Sequence, residues 1–539
     1  IDVPKLEIVD ITELRNAAAL NWSAIDVSIF GTLFERGLDP GKRSQLGAHY
    51  TDPATIGRII EPVISRPLLQ QWELVAKELH GLTVKIKKHG DAAYKKAHAR
   101  FVRWLQMLSD FRILDPACGS GNFLFLGLKA LKDVELLSIT QAADLGLGRE
   151  QDLVTGPHNL LGIELNEYAA ELARVSIWIG EIQWRIAHGY PPKTNPVLEP
   201  LDHIECRDAL LTWVGEGDAR HATEAAWPAA SVVVGNPPFI GDKKMRRELG
   251  DAYVEALRQT YQGRVPGGAD FVCYWFDKSR AALVDKALTA AGLVATNSIR
   301  GGANRKVLDA IVQASRSYDA WSDEPWVNDG AAVRVSLVAF GRPELASQLN
   351  GAASLPIQAD LRGSEETAAQ PAKLQANHDV SFQGAVLIGA FDVPADDARQ
   401  WLRQPNPHGR SNSEVLRPLT NGKDITSRSR QRWVIDFNRM EQPSATLYEL
   451  PFHHVETFVK PVRASNPRPV RRDRWWIHGE HGGGWRDATA KLPRFVATSQ
   501  VSKHRFFVWQ PVAVWPHQTV IAIARADDTT FGILHSRFH

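Results

Sequence analysis

The stretch "VVVGNPPFIG", residues 232–241, brings hydrogen-bond acceptors and an aromatic ring together. A run of β-branched residues ends at Gly235 and is followed by Asn236, two prolines and Phe239. Prolines fix φ and lack a backbone donor, so the strand cannot continue and the turn after it is rigid. An amide oxygen and a peptide carbonyl both accept hydrogen bonds, which suits the amino group of some substrate. A rigid turn that only closes a strand is the structural alternative.

A second stretch, "ILDPACGSGNF" at residues 113–123, leads from an apolar strand through a glycine-rich turn into a helix. Gly119 and Gly121 let backbone N–H groups approach a ligand closely, and the helix N-terminus favours a carboxylate or phosphate. The stretch lacks the lysine of a phosphate-binding P-loop, so an ATP site is weakly indicated. A tight strand-to-helix connection without a ligand is the alternative.

Two acidic residues follow further predicted strands. Glu164 ends "LLGIE", the position that grips ribose hydroxyls in nucleotide-like cofactors. It lies 43 residues after Gly121, against about 20 in the dinucleotide fingerprint, so we expect an insertion near 133–158. Asp208 follows "HIEC" and could accept a hydrogen bond from an adenine amino group. An ordinary surface acid or a turn cap is the alternative for each.

The elements that must position these residues can be read from the apolar pattern. From 111 to 341, short apolar runs alternate with amphipathic helical stretches, which predicts an α/β fold with a mainly parallel sheet covered on both faces. Ligands bind beyond the carboxyl ends of the strands in such a sheet. The two stretches, Glu164 and Asp208 all lie at predicted strand ends. Residues 1–110 have helical periodicity, 346–379 read as a polar linker, and 380–539 contain short strand-like runs.

Composition bounds the class of protein. The 539 residues are 44% hydrophobic and 23% charged, as in globular proteins of two to four domains. No apolar run approaches the ~20 residues that span a bilayer, and three cysteines suit neither a disulfide framework nor a metal site. We therefore expect a reduced, cytoplasmic protein without membrane or metal.

The carboxyl-terminal region is basic. Residues 401–539 hold 21 Lys and Arg against 11 Asp and Glu, although the whole chain carries a formal charge of only +2. Such an asymmetry favours contact with a polyanion. A basic surface without a partner is the alternative.

Taken in order, these motifs resemble class I S-adenosylmethionine-dependent DNA methyltransferases that modify exocyclic amino groups. "DPACGSG" looks like their methionine-binding loop, "NPPF" their catalytic tetrapeptide, and "LGAHYTDPATIGRIIEPVI", residues 46–64, the upstream element that closes over the cofactor. The motif order matches the gamma arrangement. "GRVPGGADFVCYWFDKSRA", "VLRPLTNGKDITSRSRQRWVIDF" and "FGILHSRFH" further resemble the MmeI-type (type IIL) single-chain restriction–modification enzymes, so the resemblance covers nearly the whole chain.

The resemblance implies a domain order. A helical spacer and junction at 1–110 would precede a Rossmann-like class I methyltransferase sheet at 111–345, and an α+β target-recognition domain would occupy 380–539. Family members also carry an amino-terminal PD-(D/E)xK nuclease, for which we find no convincing pattern, and their chain continues beyond His539. We therefore expect a portion of such an enzyme, with any nuclease outside this chain.

The resemblance also implies S-adenosylmethionine as the cofactor and assigns residues to it. The methionine end would be held by Asp115, Ala117, Gly119 and Gly121 and closed over by Tyr50 and Thr51. The adenosine end would be held by Glu164 at the ribose, Asp208 at the adenine amino group and Phe271 in the adenine pocket.

The catalytic tetrapeptide would act on adenine. Asn236 and the carbonyl of Pro237 would accept the two hydrogens of the amino group and aim its nitrogen at the methyl group. Pro238 would help to keep the turn rigid, and Phe239 would stack on a base flipped out of the duplex. DNA contacts are expected from Arg471, Arg472, Arg474 and Lys503, with a solvated charged face as the alternative for each.

The sequence therefore predicts a monomeric, adenine-specific methyltransferase that modifies double-stranded DNA within a restriction–modification system. Two alternatives stay open. NPP-aromatic motifs also occur in enzymes that methylate protein glutamine or RNA, which generally lack a long basic domain. A non-catalytic DNA-binding module could also retain this fold, although the intact motif residues argue against it.

Overall fold

The computed structural model describes residues 7–19, 53–148, 152–191, 201–215, 221–328, 331–363, 375–406, 408–466, 468–480 and 482–537. The chain divides into two compact units, Ile1–Ala368 and Ala369–His539. No helix within the described ranges is long and apolar enough to cross a membrane.

The first unit opens with helices, as the periodicity predicts. They are α1 (Ile8–Ala18), α2 (Pro53–Ile60), α3 (Arg66–Thr83) and α4 (Ala92–Asp110), with a π-helical turn at Glu61–Ser65 between α2 and α3. In α2 the apolar residues Ile56, Ile59 and Ile60 are all buried, which is the spacing of one helical face. Asp91 caps α4 by accepting the Tyr94 N–H at 2.8 Å. The sequence from residue 53 to 64 therefore packs as a helix with one apolar face.

Strands and helices then alternate along the chain. The strands are β1 (Ile113–Asp115), β2 (Leu160–Glu164), β3 (Ile204–Cys206), β4 (Leu211–Val214), β5 (His221–Glu224), β6 (Val232–Gly235), β7 (Ala290–Thr296), β8 (Arg316–Asn328), β9 (Ala331–Gly341), β10 (Gln348–Leu349) and β11 (Ala352–Ala353). The helices are α5 (Asn122–Asp144), α6 (Glu167–Ala187), α7 (Asp242–Leu249), α8 (Asp251–Thr260), α9 (Cys273–Val284) and α10 (Gly302–Ala314), with 3-10 turns at Pro157–Asn159 and Asn297–Arg300.

Nine strands form one mixed sheet in the order β11-β10-β8-β9-β7-β6-β1-β2-β3. The five strands from β7 to β3 in that order are mutually parallel, and β9 runs antiparallel to both β7 and β8. β4 and β5 form a separate hairpin. The short apolar runs that the sequence predicts between 111 and 341 are strands in the structure. β8 was not predicted, because "RSYDAWSDEPWVN" is interrupted by charged residues and a proline.

Helices cover both faces of the sheet. Val232 and Val234 belong to the core beneath α2–α6, whereas Val233 belongs to the core beneath α7–α10. This alternation is the two-residue period of a strand with both faces buried. The doubly covered α/β architecture expected from the sequence is confirmed.

Two segments differ in detail from the sequence expectations. The long spacing between Gly121 and Glu164 comes from α5, which has 23 residues, and from the segment between α5 and β2. The start of the expected linker at 346–379 packs with the first unit. There β10 and β11 extend the sheet, and Ile357 and Leu361 are buried in its second core.

The second unit has two small sheets and short helices. Its strands are β12 (Ser381–Gln383), β13 (Asp392–Pro394), β14 (Leu416–Thr420), β15 (Arg432–Ile435), β16 (Arg494–Ser499), β17 (Val508–Pro511), β18 (Trp515–Pro516) and β19 (Val520–Ile523). Its helices are α11 (Ala395–Arg403), α12 (Gly422–Thr426), α13 (Gln442–Ala445), α14 (Glu449–Phe458), α15 (Lys460–Ala464), α16 (Pro469–Asp473), α17 (Gly483–Thr489) and α18 (Asp528–His535), with 3-10 turns at Gln375–Asn377 and Asn412–Glu414.

The two sheets of this unit have the orders β12-β19-β16-β17 and β13-β15-β14-β18. Aromatic rings dominate the core, where Trp485 packs edge-to-face against Phe495 and Trp515. The α+β fold expected for the carboxyl-terminal region is confirmed.

Candidate active site

A cavity of about 390 Å³ lies at the carboxyl ends of β1, β2 and β6. β2 and β6 pair with opposite edges of β1, so the chain leaves β1 at a switch point of the sheet, where α/β proteins bind ligands. The volume lies within the range of roughly 300–1,000 Å³ typical of ligand pockets. Seven of the predicted site residues line this cavity: Ala117, Gly119, Glu164, Asp208, Asn236, Pro238 and Phe271.

The loop after β1 is a tight turn that favours glycine at two positions. Gly119 and Gly121 have φ of +51° and +87°, a region that other residues rarely adopt. A Cβ on Gly121 would also come within 3.0 Å of the backbone of Ala173 in α6. A Cβ on Gly119 would meet no atom within 4 Å. Gly121 therefore lets the loop pack against α6, whereas Gly119 lines the cavity.

Glu164 joins this loop to the end of β2. Its carboxylate accepts the Gly119 N–H and the Asn166 N–H, each at 2.9 Å. Burial raises the pKa of Glu164, since a charged carboxylate loses hydration there. Glu164 thus positions the glycine-rich loop and also lines the cavity. The structure does not support the alternative that Glu164 is an ordinary surface acid.

Asp115 ends β1, between the glycine-rich loop and the end of β6. It is buried, and its Oδ1 accepts the Ala117 N–H at 3.0 Å. Its Oδ2 has no hydrogen-bond partner among the described residues. Burial, with a contribution from the charge of Glu164, raises the pKa of Asp115 to about 8. A buried carboxylate oxygen without a partner suits a cationic group of a ligand.

The position of Asp115 requires a glycine at residue 235, the last residue of β6. A Cβ at this position would lie 2.5 Å from Asp115 Oδ1, and overpacking of this kind costs about 1–3 kcal/mol. We expect Gly235→Ala to displace the carboxylate and weaken binding of S-adenosylhomocysteine at least tenfold in calorimetry. Gly267→Ala is the matched control, because a Cβ on that exposed glycine meets no atom within 4 Å. Equal affinities for the two variants would contradict the steric argument.

Asp208 and Tyr253 form a hydrogen-bonded pair in the cavity wall. Asp208 Oδ1 accepts the N–H groups of Leu210 and Leu211 at 2.7 and 3.3 Å, so the residue does cap a turn. Its Oδ2 accepts the Tyr253 hydroxyl at 2.8 Å. Burial raises the pKa of Tyr253 and keeps that hydroxyl a donor. Sequence reasoning missed Tyr253, because nothing distinguishes it from an ordinary residue of α8.

We expect Tyr253→Phe to weaken cofactor binding and leave the maximal rate nearly unchanged. A hydrogen bond to a charged group contributes about 1.5–3 kcal/mol, so the Kd for S-adenosylhomocysteine should rise roughly tenfold. Steady-state kinetics would show this as a higher KM for S-adenosylmethionine. A fall in kcat with unchanged KM would contradict the expected role of Tyr253 in cofactor binding.

Phe271 is held by the elements around it. Its N–H donates to the carbonyl of Ile240 at 2.9 Å, and its ring packs edge-to-face on Trp275 at 4.9 Å between centroids. Trp275 donates its indole N–H to the carbonyl of Pro116, next to the glycine-rich loop, at 3.1 Å. Phe271 and Trp275 therefore supply a rigid apolar wall of the cavity.

The tetrapeptide is only partly in the cavity. Asn236 and Pro238 line it, whereas Pro237 is buried beside them. Phe239 is half-buried, packs against both cores of the sheet, and is not among the cavity-lining residues. The structure therefore brings the amide to the glycine-rich loop and does not place the phenyl ring in the same space. Tyr50 and Thr51 lie outside the described residues.

The predicted DNA-contacting arginines of the second unit have acidic neighbours. Arg472 pairs with Asp473 and Arg474 with Glu441, both at 3.1 Å. Arg471 lies 3.6 Å from Glu480. Lys503 is exposed. Contact of these four residues with DNA stays a prediction.

The strand order and the cavity at the strand ends agree with the Rossmann-like α/β fold expected from the sequence. Residues 91–350 match the family model described as the DNA-methyltransferase domain of MmeI. This match to a DNA-methyltransferase domain spans just under half of the 539 residues.

Two relatives match parts of this chain. DNA methyltransferase A of Bacillus subtilis (strain 168) is 26% identical over 337 residues, covering 60% of this chain and 34% of the relative. A Methanocaldococcus jannaschii protein provisionally described as a type II restriction enzyme and methyltransferase is 27% identical over 210 residues, covering 36% of this chain and 17% of the relative. The chain therefore matches about a third or less of these relatives' length.

The type IIL restriction–modification enzyme MmeI, solved in complex with DNA, is similar in fold. Its TM-score is 0.69 at 20% identity, and the match covers 99% of this chain and 70% of that one.

Proposed function

We propose that this chain binds S-adenosylmethionine and methylates the N6 amino group of adenine in double-stranded DNA, as the modification part of a restriction–modification system. The observation that carries the proposal is that Asn236 and the glycine-rich loop with Glu164 line one cavity. The match of residues 91–350 to a model of a DNA-methyltransferase domain supports the reaction class. Relatives described as restriction–modification enzymes support the system.

The residues that line the cavity fit the proposed cofactor. Phe271 and Trp275 offer an apolar wall for an adenine ring. The carboxylates of Glu164 and Asp208 retain lone pairs for hydroxyl and amino groups, besides the hydrogen bonds that they accept within the protein. Asp115 Oδ2 is a buried acceptor without a partner among the described residues, suited to the cationic methionine end. When bound, S-adenosylmethionine supplies a methyl group on a positively charged sulfur.

Asn236 and Pro237 would prepare the substrate nitrogen. The lone pair of an aromatic amino group is delocalised into its ring, so the nitrogen is a poor nucleophile. Acceptance of its two hydrogens by the Asn236 side chain and the Pro237 carbonyl would favour a tetrahedral nitrogen. Pro237 and Pro238 fix the backbone of these acceptors, so catalysis would rest on positioning rather than on a general base.

The target adenine would leave the DNA stack. A base within a duplex cannot reach a cavity of this kind, so enzymes that act on bases extrude them. Phe239 follows the acceptors directly, and stacking of a base on an aromatic ring contributes about 1–3 kcal/mol. The proposed stacking requires the half-buried Phe239 ring to face the entering base.

Transfer of a labelled methyl group tests the proposal. The full chain would be incubated with tritium-labelled S-adenosylmethionine and, in separate reactions, duplex DNA, RNA or unmodified protein. We expect label in duplex DNA, recovered after digestion in N6-methyladenine. Label in RNA or protein alone would overturn the proposal. Binding of S-adenosylhomocysteine, measured first, shows that the preparation has an intact cavity.

A further inference from the structure

A second cavity, of about 570 Å³, lies within the unit of residues 369–539. Its polar lining residues are Asp392, Asn421, Arg430, Arg432, His517 and Gln518. None of them belongs to the site described above or to the predicted DNA-contacting residues.

The β13-β15-β14-β18 sheet brings these residues to one end. β14 and β18 are parallel, and Thr420 pairs with Pro516, so Asn421 and His517 leave the sheet side by side. β15 runs antiparallel to β14, with Pro418 opposite Trp433. β15 therefore begins, at Arg432, beside the point where β14 ends.

Several acceptor groups around this cavity already have partners within the protein. Arg432 donates its Nε–H to the carboxylate of Asp392 and its Nη2–H to the backbone carbonyl of the same residue, each at 2.9 Å. The neighbouring Asp424 carboxylate accepts the backbone N–H groups of Asn421 and Arg430 at 2.9 and 2.8 Å. The Asn421 side-chain oxygen accepts the N–H groups of Lys423 and Asp424. These acceptors are therefore occupied by groups of the protein itself.

Donors remain. The Arg430 side chain is exposed, and within the described ranges its guanidinium takes part in no ion pair. His517 Nδ1 accepts the Thr519 N–H at 3.4 Å, which leaves the proton of a neutral ring on Nε2. Burial lowers the pKa of His517, so the neutral ring predominates near pH 7. The amide nitrogen of Asn421 adds another donor.

A buried cation lies beneath the cavity floor. Leu387 and Ile388 line the cavity, and their carbonyls accept hydrogen bonds from the Arg463 guanidinium at 2.7 and 2.8 Å. Arg463 is 1% exposed, and its third partner is the carbonyl of Ile477 at 2.6 Å. Burial lowers the pKa of Arg463 to about 10, and the charge of Arg471 contributes. No carboxylate pairs with Arg463 in the part of the chain that the structure describes.

We propose that this cavity binds a phosphate group, supplied by the backbone of the DNA that the proposed methyltransferase modifies. Donors that converge above an uncompensated guanidinium favour an anion, and arginine suits phosphate oxygens. The edges of bases present donors as well as acceptors, and the side-chain oxygens of Asn421 and Asp424 already accept hydrogen bonds from the protein. The proposal rests on the proposed function for its choice of DNA as the source of phosphate.

The salt dependence of DNA binding tests the proposal. The full chain would be titrated against a fluorescent duplex over a series of salt concentrations, and Arg430→Gln would be compared with Arg428→Gln. Arg428 is exposed in the same loop and does not line the cavity. Loss of one phosphate contact should reduce the salt slope by about one and weaken binding roughly tenfold at low salt. Arg428→Gln should behave as the wild type.

A second arm separates DNA phosphate from free phosphate. At matched ionic strength, inorganic phosphate should compete with DNA in the wild-type chain and have little effect on Arg430→Gln. Equal slopes and affinities for the two variants would overturn the proposal. An Arg430→Gln chain with an unchanged slope that methylates different sequences would overturn it too, because Arg430 would then read bases. Failure of the proposed function would appear separately, as absence of methyl transfer by the wild-type chain.

Discussion

Replacing Asn236 with alanine should lower the rate of methyl transfer by at least a thousandfold and leave cofactor affinity within about threefold of the wild type. Asn236 lines the cavity at the end of β6, and its amide oxygen is the proposed acceptor of an amino hydrogen. Loss of one preorganised acceptor or donor in an active site typically costs 10²–10³ in kcat. Here the same change also removes the means of orienting the base, so we expect the larger effect.

The experiment needs a graded variant and a binding control. Asn236→Asp retains an acceptor oxygen of similar position, so it should retain more activity than Asn236→Ala. Single-turnover rates at saturating cofactor and DNA would measure the chemical step in each variant. Calorimetry with S-adenosylhomocysteine would show whether the cavity is intact. An Asn236→Ala chain that turns over at the wild-type rate would refute the catalytic role.

Replacing Asp115 with asparagine should stabilise the cofactor-free protein and weaken its binding of S-adenosylmethionine. The pKa of Asp115 is raised from its ordinary value of 3.8 to about 8, chiefly by burial. The folded protein thus holds a proton that the unfolded chain releases between those values, so stability falls as pH rises from about 4 to about 8. Asparagine cannot ionise, and the variant escapes this loss.

The expected difference therefore depends on pH. Near pH 4 the two proteins should have similar free energies of unfolding, and above pH 8 the variant should be more stable by a few kcal/mol. Cofactor affinity should change in the opposite direction, falling at least tenfold, because the amide offers no charge to a cationic methionine end. Urea denaturation across this pH range and calorimetry at pH 8 would measure both. Equal stability at all pH values would show that Asp115 is not a buried acid of this kind.

Much of the fold follows from local sequence pattern. "VVVG" and "AGLVAT" are apolar because both faces of β6 and β7 are buried, so their periodicity and length predict strands in a parallel sheet. β8 escapes this reasoning because its long antiparallel pairing with β9 stabilises a strand that contains Asp319, Glu324 and Pro325. Pairing of that kind depends on the partner strand rather than on local composition.

Some residues of the candidate site could likewise be predicted from the sequence, and others could not. Asp115, Gly119, Glu164 and Asn236 could be predicted because they directly follow or end apolar strands, where sheet topology brings them together. Tyr253 could not, because it reaches the cavity through the packing of α8, which local sequence does not determine. The burial of Arg463 could not be predicted either, since two of its three carbonyl partners lie 75 or more residues away along the chain.

The central claim is that Asn236 directs methyl transfer to the amino group of adenine from a cofactor held by the glycine-rich loop. The most direct measurement is mass spectrometry of nucleosides from methylation-free plasmid DNA, after incubation with the purified chain and S-adenosylmethionine that carries a ¹³C-labelled methyl group. We predict labelled N6-methyl-deoxyadenosine with the wild-type chain and none above background with Asn236→Ala. Labelled methylcytosine in place of methyladenine, or equal label with both chains, would contradict the claim.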